Sequence, residues 1–400
     1  MIVYSANIQP QLVGNTRIEP GQLTYAPDCH EQSLRAIPGM MVGKDAIQTF
    51  FRTVIPHEEI EAADKFREYD VLQISSPLLN CGVREYTNYL IKNLRRSAAY
   101  VSCKDARNGL LAGLYPNKVL HYQYNAAYAQ SGELACIAEL QDHKTVCTLH
   151  DVPSCIPLLS KFDAIICHTE KDQSDVRAFT SFPEKIHHIP QGFPALFTGE
   201  PHGSQFKPLL GFIGFMSAHK GIHKLVEHLP SLVSEHPQIG CRVVSSINHD
   251  LAGQNAFQFA KMIHDGANRL GVGNRIEWVH DHLTDEEIQK YLAACDLIVL
   301  PYIFGSAGGS SAALRMALSS GVPVLCSDVG ILMDVNEGIF RFAAGDVDNL
   351  PSHIRGALSS DLVAKREEAK GVVNKYSWAN IAKQTDVLYE TLLTSTERNA

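Results

Sequence analysis

Short apolar runs alternate with amphipathic helical stretches along most of this 400-residue chain, and no other feature restricts its fold as much. A strand buried on both faces reads as an unbroken apolar run, and parallel strands need a crossover between them, usually a helix. The alternation therefore predicts parallel α/β units. In the first half the expected strands are Val71–Ile74, Tyr100–Cys103, Lys118–Tyr124, Val146–Leu149 and Ala164–His168. In the second they are Leu210–Phe215, Arg242–Ser245, Arg275–Val279, Leu297–Leu300 and Val322–Cys326. Ile222, Leu225, Val226, Leu229, Leu232 and Val233 share one helical face. Thr284 and Glu287 have the spacing of a capping box ahead of Ile288, Tyr291 and Leu292.

The two strand sets imply two doubly wound, Rossmann-like domains, and the length suffices for two cores. Gln191–Lys207 is rich in Gly, Pro and polar residues and has no period, which is linker composition. Residues 1–198 are assigned to an N-terminal domain, 199–375 to a C-terminal one and 376–400 to a closing helix. Residues 1–64 form an elaboration of the first domain: Met1–Ala6 could be a strand, and Gln9–Pro38 mixes turn formers.

Composition narrows the function classes. A formal charge of -8 gives no whole-molecule attraction to nucleic acid or anionic lipid. No apolar run reaches the roughly 18–20 residues that span a bilayer. The ten cysteines include no CxxC pair, and several, such as Cys136, Cys147 and Cys167, lie in apolar runs. With no charged-then-apolar leader, a cytoplasmic setting with free thiols is expected, at most peripheral to the inner membrane face.

Ligands of doubly wound sheets bind outside the carboxyl ends of the strands, so the loops there carry the chemistry. After Val71–Ile74 a small-residue loop leads through Cys81, Gly82 and Val83 into a helix burying Val83, Tyr86, Leu90 and Leu94. Free amides and the positive dipole end at such a start suit a phosphate or a sugar oxygen, although a single Gly also fits an ordinary turn. After Val146–Leu149 come His150 and Asp151. A His there can bond a hydroxyl or relay a proton, or be one of 18 unremarkable histidines.

After Leu210–Phe215 the segment Met216-Ser217-Ala218-His219-Lys220-Gly221 sets an ammonium over a strand-to-helix turn, a good anion site. His219 and His223 are spaced i and i+4 but lack a third ligand, so no metal is expected. After Leu297–Leu300 comes a run holding Gly305, Ser306, Gly308, Gly309, Ser310 and Ser311, then a short helix over 312–320. A Gly/Ser run is entropically costly and makes sense where backbone must approach a charged ligand. It is not GxxxxGK[ST], which disfavours nucleotide hydrolysis. Two anion-ready turns in one domain and two sugar- or phosphate-ready turns in the other suit a sugar diphosphate held in a cleft.

In order, CGVREYT (Cys81–Thr87), TLHD (Thr148–Asp151), IPQG (Ile189–Gly192), GFMSAHKG (Gly214–Gly221), DLIVLPY (Asp296–Tyr302), GVPVLCSDVG (Gly321–Gly330) and the closing YSW (Tyr376–Trp378) form a specific series. From about residue 70 onward the chain resembles the GT-B glycosyltransferases, in particular the large retaining family four. The resemblance implies two Rossmann-like domains facing across a cleft and a last helix that crosses back to the first. It implies transfer from a UDP- or GDP-sugar, with retention, to a hydroxyl of a glycan, a lipid-linked sugar or another acceptor, and no required cofactor. Lys220 would bind the diphosphate, with the amides of Ser310 and Ser311 on the phosphates. Gly82 and Val83 would lie near donor sugar or diphosphate, His150 would touch the sugar, and Ser217 and His280 would border the nucleotide. Leaving phosphate oxygen would assist removal of the acceptor proton, so His150 and Lys220 would act by positioning and charge stabilisation.

The chain departs from the family at Gly308 and Met316, where two glutamates usually stand, and at Phe215, where an arginine is common. Ser306, Ser310 and Arg315 would take over contacts to the donor. Between Arg84 and Lys118, seven Lys or Arg face only Glu85 and Asp105. Arg84, Arg95 and Arg96 are the acceptor-side candidates, as a solvated helix face or as a surface for anionic lipid, lipid diphosphate or nucleic acid phosphates. Two alternatives follow: a glycosyltransferase that modifies DNA bases, and a catalytically silent partner protein that binds nucleotide sugar or glycan.

Overall fold

A computed structural model describes residues 11–13, 16–18, 65–77, 81–107, 114–125, 137, 140, 142–152, 157–245, 256–280, 283–305 and 308–395. The chain divides into two units: residues 1–190 with 382–400, and residues 191–381. Met1–Ala6 lies outside the described residues. Within 9–38, Gln11–Val13 (β1) and Thr16–Ile18 (β2) pair antiparallel, a hairpin that the turn-rich composition there does not announce.

The first unit is built on a six-stranded parallel sheet. Its strands are Val71–Ser75 (β3), Ala98–Ser102 (β4), Val119–Tyr124 (β5), Lys144–Leu149 (β6), Ala164–Cys167 (β7) and Ile186–His188 (β8), in the order β4-β3-β5-β6-β7-β8. β3, β5 and β7 are buried along their whole length, which is why they read as strands in the sequence. β8 is an edge strand of three residues, two of them histidines, too short and polar to carry a period. Helix α1 (Gly82–Asn93) buries Val83, Tyr86, Thr87 and Leu90, and α2 (Cys103–Arg107) follows β4 directly. Helix α3 (Glu170–Phe179) starts at Thr169, whose side chain accepts from the Asp172 amide, the N-cap bond that satisfies an otherwise orphaned donor.

The second unit holds another six-stranded parallel sheet. It comprises Leu209–Ile213 (β9), Gly240–Val244 (β10), Ile276–Val279 (β11), Leu297–Leu300 (β12), Val324–Ser327 (β13) and Ile339–Phe342 (β14), ordered β11-β10-β9-β12-β13-β14. The sequence reading lacks β14, whose two middle residues are only partly buried. Helices α4 (Ile222–Glu235), α5 (Ala256–Arg269), α6 (Asp285–Leu292), α7 (Ala312–Ser319), α8 (Leu350–Leu358) and α9 (Leu362–Lys375) cover the sheet. α4 buries Ile222, Leu225, Val226, Leu229 and Leu232, with Val233 packed at the margin of the same core. α6 carries both bonds of its capping box, between Thr284 and Glu287.

The last helix, α10, spans Trp378–Ser395, and its residues from 382 onward cluster with the first unit. Buried thiols Cys81, Cys103, Cys147, Cys167, Cys241, Cys295 and Cys326 are free. Burial pushes the Cys167 thiol up to about 12 and the Cys326 thiol to about 11, so both stay protonated and unreactive. Among the described residues, no helix is long and apolar enough to cross a membrane.

Candidate functional site

In the second unit strand order reverses between β9 and β12, which are neighbours although two strands, β10 and β11, separate them in sequence. At such a reversal the loops leaving the two strands part to opposite faces and open a crevice at the carboxyl end. The two loops there are those singled out as anion-ready. After β9, a single 3-10 turn over Ala218–Lys220 ends on Gly221, whose φ of 75° is a left-handed conformation. A Cβ at Gly221 would lie 1.8 Å from the Pro301 carbonyl oxygen, so only glycine lets this turn press against the β12 loop. The Ile303 amide donates to the His219 carbonyl at 3.0 Å and ties the loops together.

Lys220 is partly exposed, and its Nζ stands 4.0 Å from the Tyr302 ring centroid. Its stem passes over Gly214, where a Cβ would meet Lys220 Cδ at 3.8 Å. Among the described residues no carboxylate pairs with this ammonium, which leaves its charge for an incoming anion. Ser217 Oγ lies 3.1 Å from His219 Nδ1. Burial, and then the Lys220 charge, lower the His219 pKa, so a neutral imidazole stands beside the ammonium at neutral pH.

The β12 loop continues through Gly308 and Gly309, the latter at φ 88°, to Ser310 and Ser311. Ser311 caps α7: its Oγ accepts from the Leu314 amide at 3.3 Å. This fixes the start of a helix whose first amides and dipole favour an anion. Ser310 Oγ donates to Asp334 Oδ2 at 2.6 Å. Arg315, read in the sequence as a donor contact, is 2% exposed and its guanidinium is spent inside the protein. It donates to the carbonyls of Gln191 (3.1 Å) and Ser311 (3.4 Å) and pairs with Asp334. Arg315 and Asp334 thus hold the Ser310–Ser311 turn from behind. Asp334 is a residue the sequence reading missed, since nothing in its neighbourhood marks it. Ser306 lies outside the described residues.

His280 belongs to a different place in this unit. It follows β11, and β10 stands between β11 and β9, so a strand spacing of about 4.8 Å sets it roughly 10 Å from the Lys220 turn. Its Nδ1 donates to the Ser245 carbonyl at 3.0 Å, its Nε2 meets His264 Nε2 at 2.9 Å, and His264 stacks on Trp278 at 3.9 Å.

In the first unit the reversal falls between β3 and β5. The chain leaving β3 reaches Cys81 and starts α1 at Gly82, where a Cβ would meet nothing within 4 Å. At the start of α1 Val83 turns into the core. Arg84 Cζ stands over the Tyr100 ring, 3.1 Å from its centroid, and Arg84 donates to Asn88 at 3.2 Å. Arg95 is exposed and Arg96 partly buried. Lys118, counted in the basic segment, is buried with its ammonium on the Arg67 and Tyr69 carbonyls, so it adds nothing to a surface patch.

His150, one residue past β6, is partly buried with both ring nitrogens engaged: Nε2 lies 3.0 Å from Gln123 Oε1, and Nδ1 lies 3.3 Å from His168 Nε2. The Tyr86 ring meets it edge-on at 4.8 Å. Gln123 contacts Gln73 (2.8 Å), Gln73 contacts the Tyr389 hydroxyl (2.9 Å), and that hydroxyl meets His121 Nδ1 (2.6 Å), whose Nε2 meets Thr148 (2.6 Å). Burial, and then its histidine neighbours, hold the His150 pKa well below 6.5 and bring His121 down to about 3. None of these partners except His150 was expected from sequence, because they come from separate strands and from the terminal helix.

Residues 207–360 match the family described as "Glycosyl transferases group 1". The chain is 28% identical over 195 residues to a D-inositol 3-phosphate glycosyltransferase of Corynebacterium urealyticum, covering 47% of this chain and 44% of that one. It is 30% identical over 125 residues to the O-antigen chain mannosyltransferase B of Escherichia coli, 30% of this chain and 32% of that one. The chain thus spans less than half the length of either relative. Among solved structures it is similar to HepE (Alr3699) of Anabaena in complex with UDP, with a TM-score of 0.62 and 16% identity, over 80% of this chain and 100% of that one. That likeness shows the fold: two Rossmann-like domains of GT-B type.

Proposed function

From the group 1 glycosyltransferase domain that residues 207–360 form, we propose that this protein moves a sugar from a nucleoside-diphosphate sugar to a hydroxyl of a glycan, a lipid-linked sugar or a similar acceptor, with retention. One observation carries the reading. At the β9/β12 reversal Lys220, whose ammonium pairs with no carboxylate among the described residues, stands on a turn tied to the loop that leads into the capped N-terminus of α7. A cation and free amides on adjoining loops suit a diphosphate, whose charge grows as the sugar leaves.

In this reading Lys220 and the amides at Ser310–Ser311 hold the diphosphate, with Ser217, Gly308 and Gly309 beside it. Arg315 acts through the turn it braces and not by touching the donor. Gly82 at the start of α1, and His150, whose ring meets that of Tyr86 on the same helix, serve the sugar. His280 with Trp278 borders the nucleotide. Arg84, Arg95 and Arg96 serve the acceptor side. UDP is the first base to try, since the HepE structure binds it. The test is transfer of labelled sugar from UDP- and GDP-sugars to water and to a panel of glycan acceptors, beside a thermal-shift screen of the same donors. A ligand at a hundredfold excess over its dissociation constant stabilises by about 2.7 kcal/mol. A shift with one nucleotide and turnover of its sugar supports the reading; no shift with any of them refutes it.

A second reading has one observation in its favour. Gly308 and Met316 stand where the resembling family carries two glutamates, and Asp334 spends its Oδ2 on Arg315 and Ser310. A donor-binding partner without turnover would give the shift and no transfer.

A further inference from the structure

The chain passes between its two units twice, at residues 190–191 and 381–382. On the second-unit side the two passages lie together, since Phe193 and Ser377 form an isolated parallel bridge. The Phe193 amide donates to the Tyr376 carbonyl at 2.9 Å, and the Trp378 amide to the Phe193 carbonyl at 3.4 Å. A Cβ at Gly192 would lie 2.4 Å from the Trp378 ring, so only glycine lets the indole press this close. Gln191, Gly192, Phe193 and Trp378 are all buried.

Arg315 reaches this place from the first turn of α7. Its Nε donates to the Gln191 carbonyl at 3.1 Å, and its Cζ stands 5.1 Å from the Phe193 ring centroid. The same guanidinium donates to the Ser311 carbonyl at 3.4 Å, to Ser310 Oγ at 3.3 Å and to Asp334 Oδ2. In the last turn of α7, Ser319 Oγ donates to the Pro194 carbonyl at 3.0 Å, and the Phe197 amide donates to the Ser319 carbonyl at 2.8 Å. Residues 191–197 thus run beside α7 in its own direction, from its first turn to its last. A guanidinium is a planar fork whose donors cannot move independently. Inside the protein a bond that it gives up is not replaced by water, so its partners keep their places together.

We propose that Arg315 is a positioning residue that couples an anion on the Ser310–Ser311 turn to the two passages between the units. The inference rests on the donor-site reading, which puts the diphosphate at this turn. An anion on the first amides of α7 narrows the motion of the Ser310–Ser311 backbone, and the fork hands that restriction to Gln191 and Phe193. The bridge carries it on to Tyr376–Trp378. Donor occupancy is thereby registered where the chain enters and leaves the second unit. By linkage, ordering these passages raises donor affinity by the same factor.

The test is amide hydrogen exchange of the full-length protein with and without UDP, at a roughly hundredfold excess over its calorimetric dissociation constant. Rates are read relative to the amides of α8, which packs against α4, so that a rise in global stability cancels. In the wild type UDP should slow the Phe193 and Trp378 amides by about fivefold or more, the lower end of ordinary coupling between sites. Arg315→Lys keeps a cation for Asp334 and loses the fork. There UDP should still slow the first amides of α7, and its effect at Phe193 and Trp378 should vanish. A merely structural brace would speed exchange in the variant with and without UDP alike, leaving their ratio as in the wild type. If Arg315→Lys does not fold, Phe193→Leu, which withdraws the ring and spares the ion pair, must reduce the effect at Trp378. UDP that binds the wild type without slowing Phe193 and Trp378 overturns the coupling and leaves the donor-site reading standing. An undiminished effect in the variant that folds overturns it equally. UDP that does not bind removes both.

Discussion

The two units are both six-stranded parallel sheets, yet they treat polar groups at their strand ends in opposite ways. In the first unit the polar side chains bond one another: Gln73, His121, Gln123, Thr148, His150, His168 and Tyr389 close on themselves and end on a carbonyl. In the second, a buried ion pair braces the Ser310–Ser311 turn, and Lys220 on the neighbouring β9 loop has no carboxylate partner among the described residues. Sheet order is part of the difference. The first reverses after one strand pair, the second after three strands run in one direction. A self-satisfied network is a scaffold, whereas a cation beside free amides is a demand that a ligand meets.

That contrast can be broken most forcefully through the ion pair. Arg315→Met leaves the Asp334 carboxylate buried without its cation, and should destabilise the second unit by about 3–5 kcal/mol, read by denaturant unfolding. An effect under ~1 kcal/mol would mean that the pair is not what holds the turn.

Acid should act most strongly on the first unit. Burial keeps His121 neutral down to about 3, while in the unfolded chain it protonates near 6.5. The unfolded state therefore binds more protons once the pH falls below about 6.5, and stability drops by up to about 1.4 kcal/mol per pH unit from this residue until the folded value is reached. His150, shifted the same way, adds to it. By pH 4.5 the amides of β5 should exchange with solvent faster relative to those of β9 than they do at pH 7. Equal loss in both sheets would remove the distinction.

The smallest stability effect belongs to Gly82→Ala. The added Cβ meets nothing, and φ there is not in the left-handed region, so the helix start should be unchanged or stabilised by about 0.4–1 kcal/mol. Donor affinity should nonetheless fall if a ligand passes close over the α1 amides, and unchanged affinity would move the sugar elsewhere.

How far these features are legible in the sequence follows the same division. The buried strands β3, β5, β7, β9 and β12 show as apolar runs, and the Thr284–Glu287 capping box is local enough to read directly. Edge strands β8 and β14 escaped because partial exposure admits His and Arg and leaves no period. Anion-ready turns are legible because both halves of the signal, a Gly for the backbone and a cation or hydroxyl beside it, sit in consecutive residues. The His150 chain is not, because its members lie on β3, β5, β6, β7 and α10 and each alone looks like an ordinary strand or helix residue. Arg315 illustrates the converse: the sequence offered it as a donor contact in place of the family's glutamates, and its burial against Asp334 shows a brace.

The central claim, that the Lys220 turn is an anion site and not a structural contact, is tested most directly by calorimetric titration of UDP and UMP into the wild type and Lys220→Ala. The variant forfeits a cation–π contact worth about 0.5–1 kcal/mol at a partly exposed position, so its unfolding midpoint should move little. UDP affinity should fall by roughly a hundredfold, about 2.7 kcal/mol, and UMP affinity by much less. Equal UDP affinity in the two proteins, or an equal loss for UDP and UMP, would contradict the assignment.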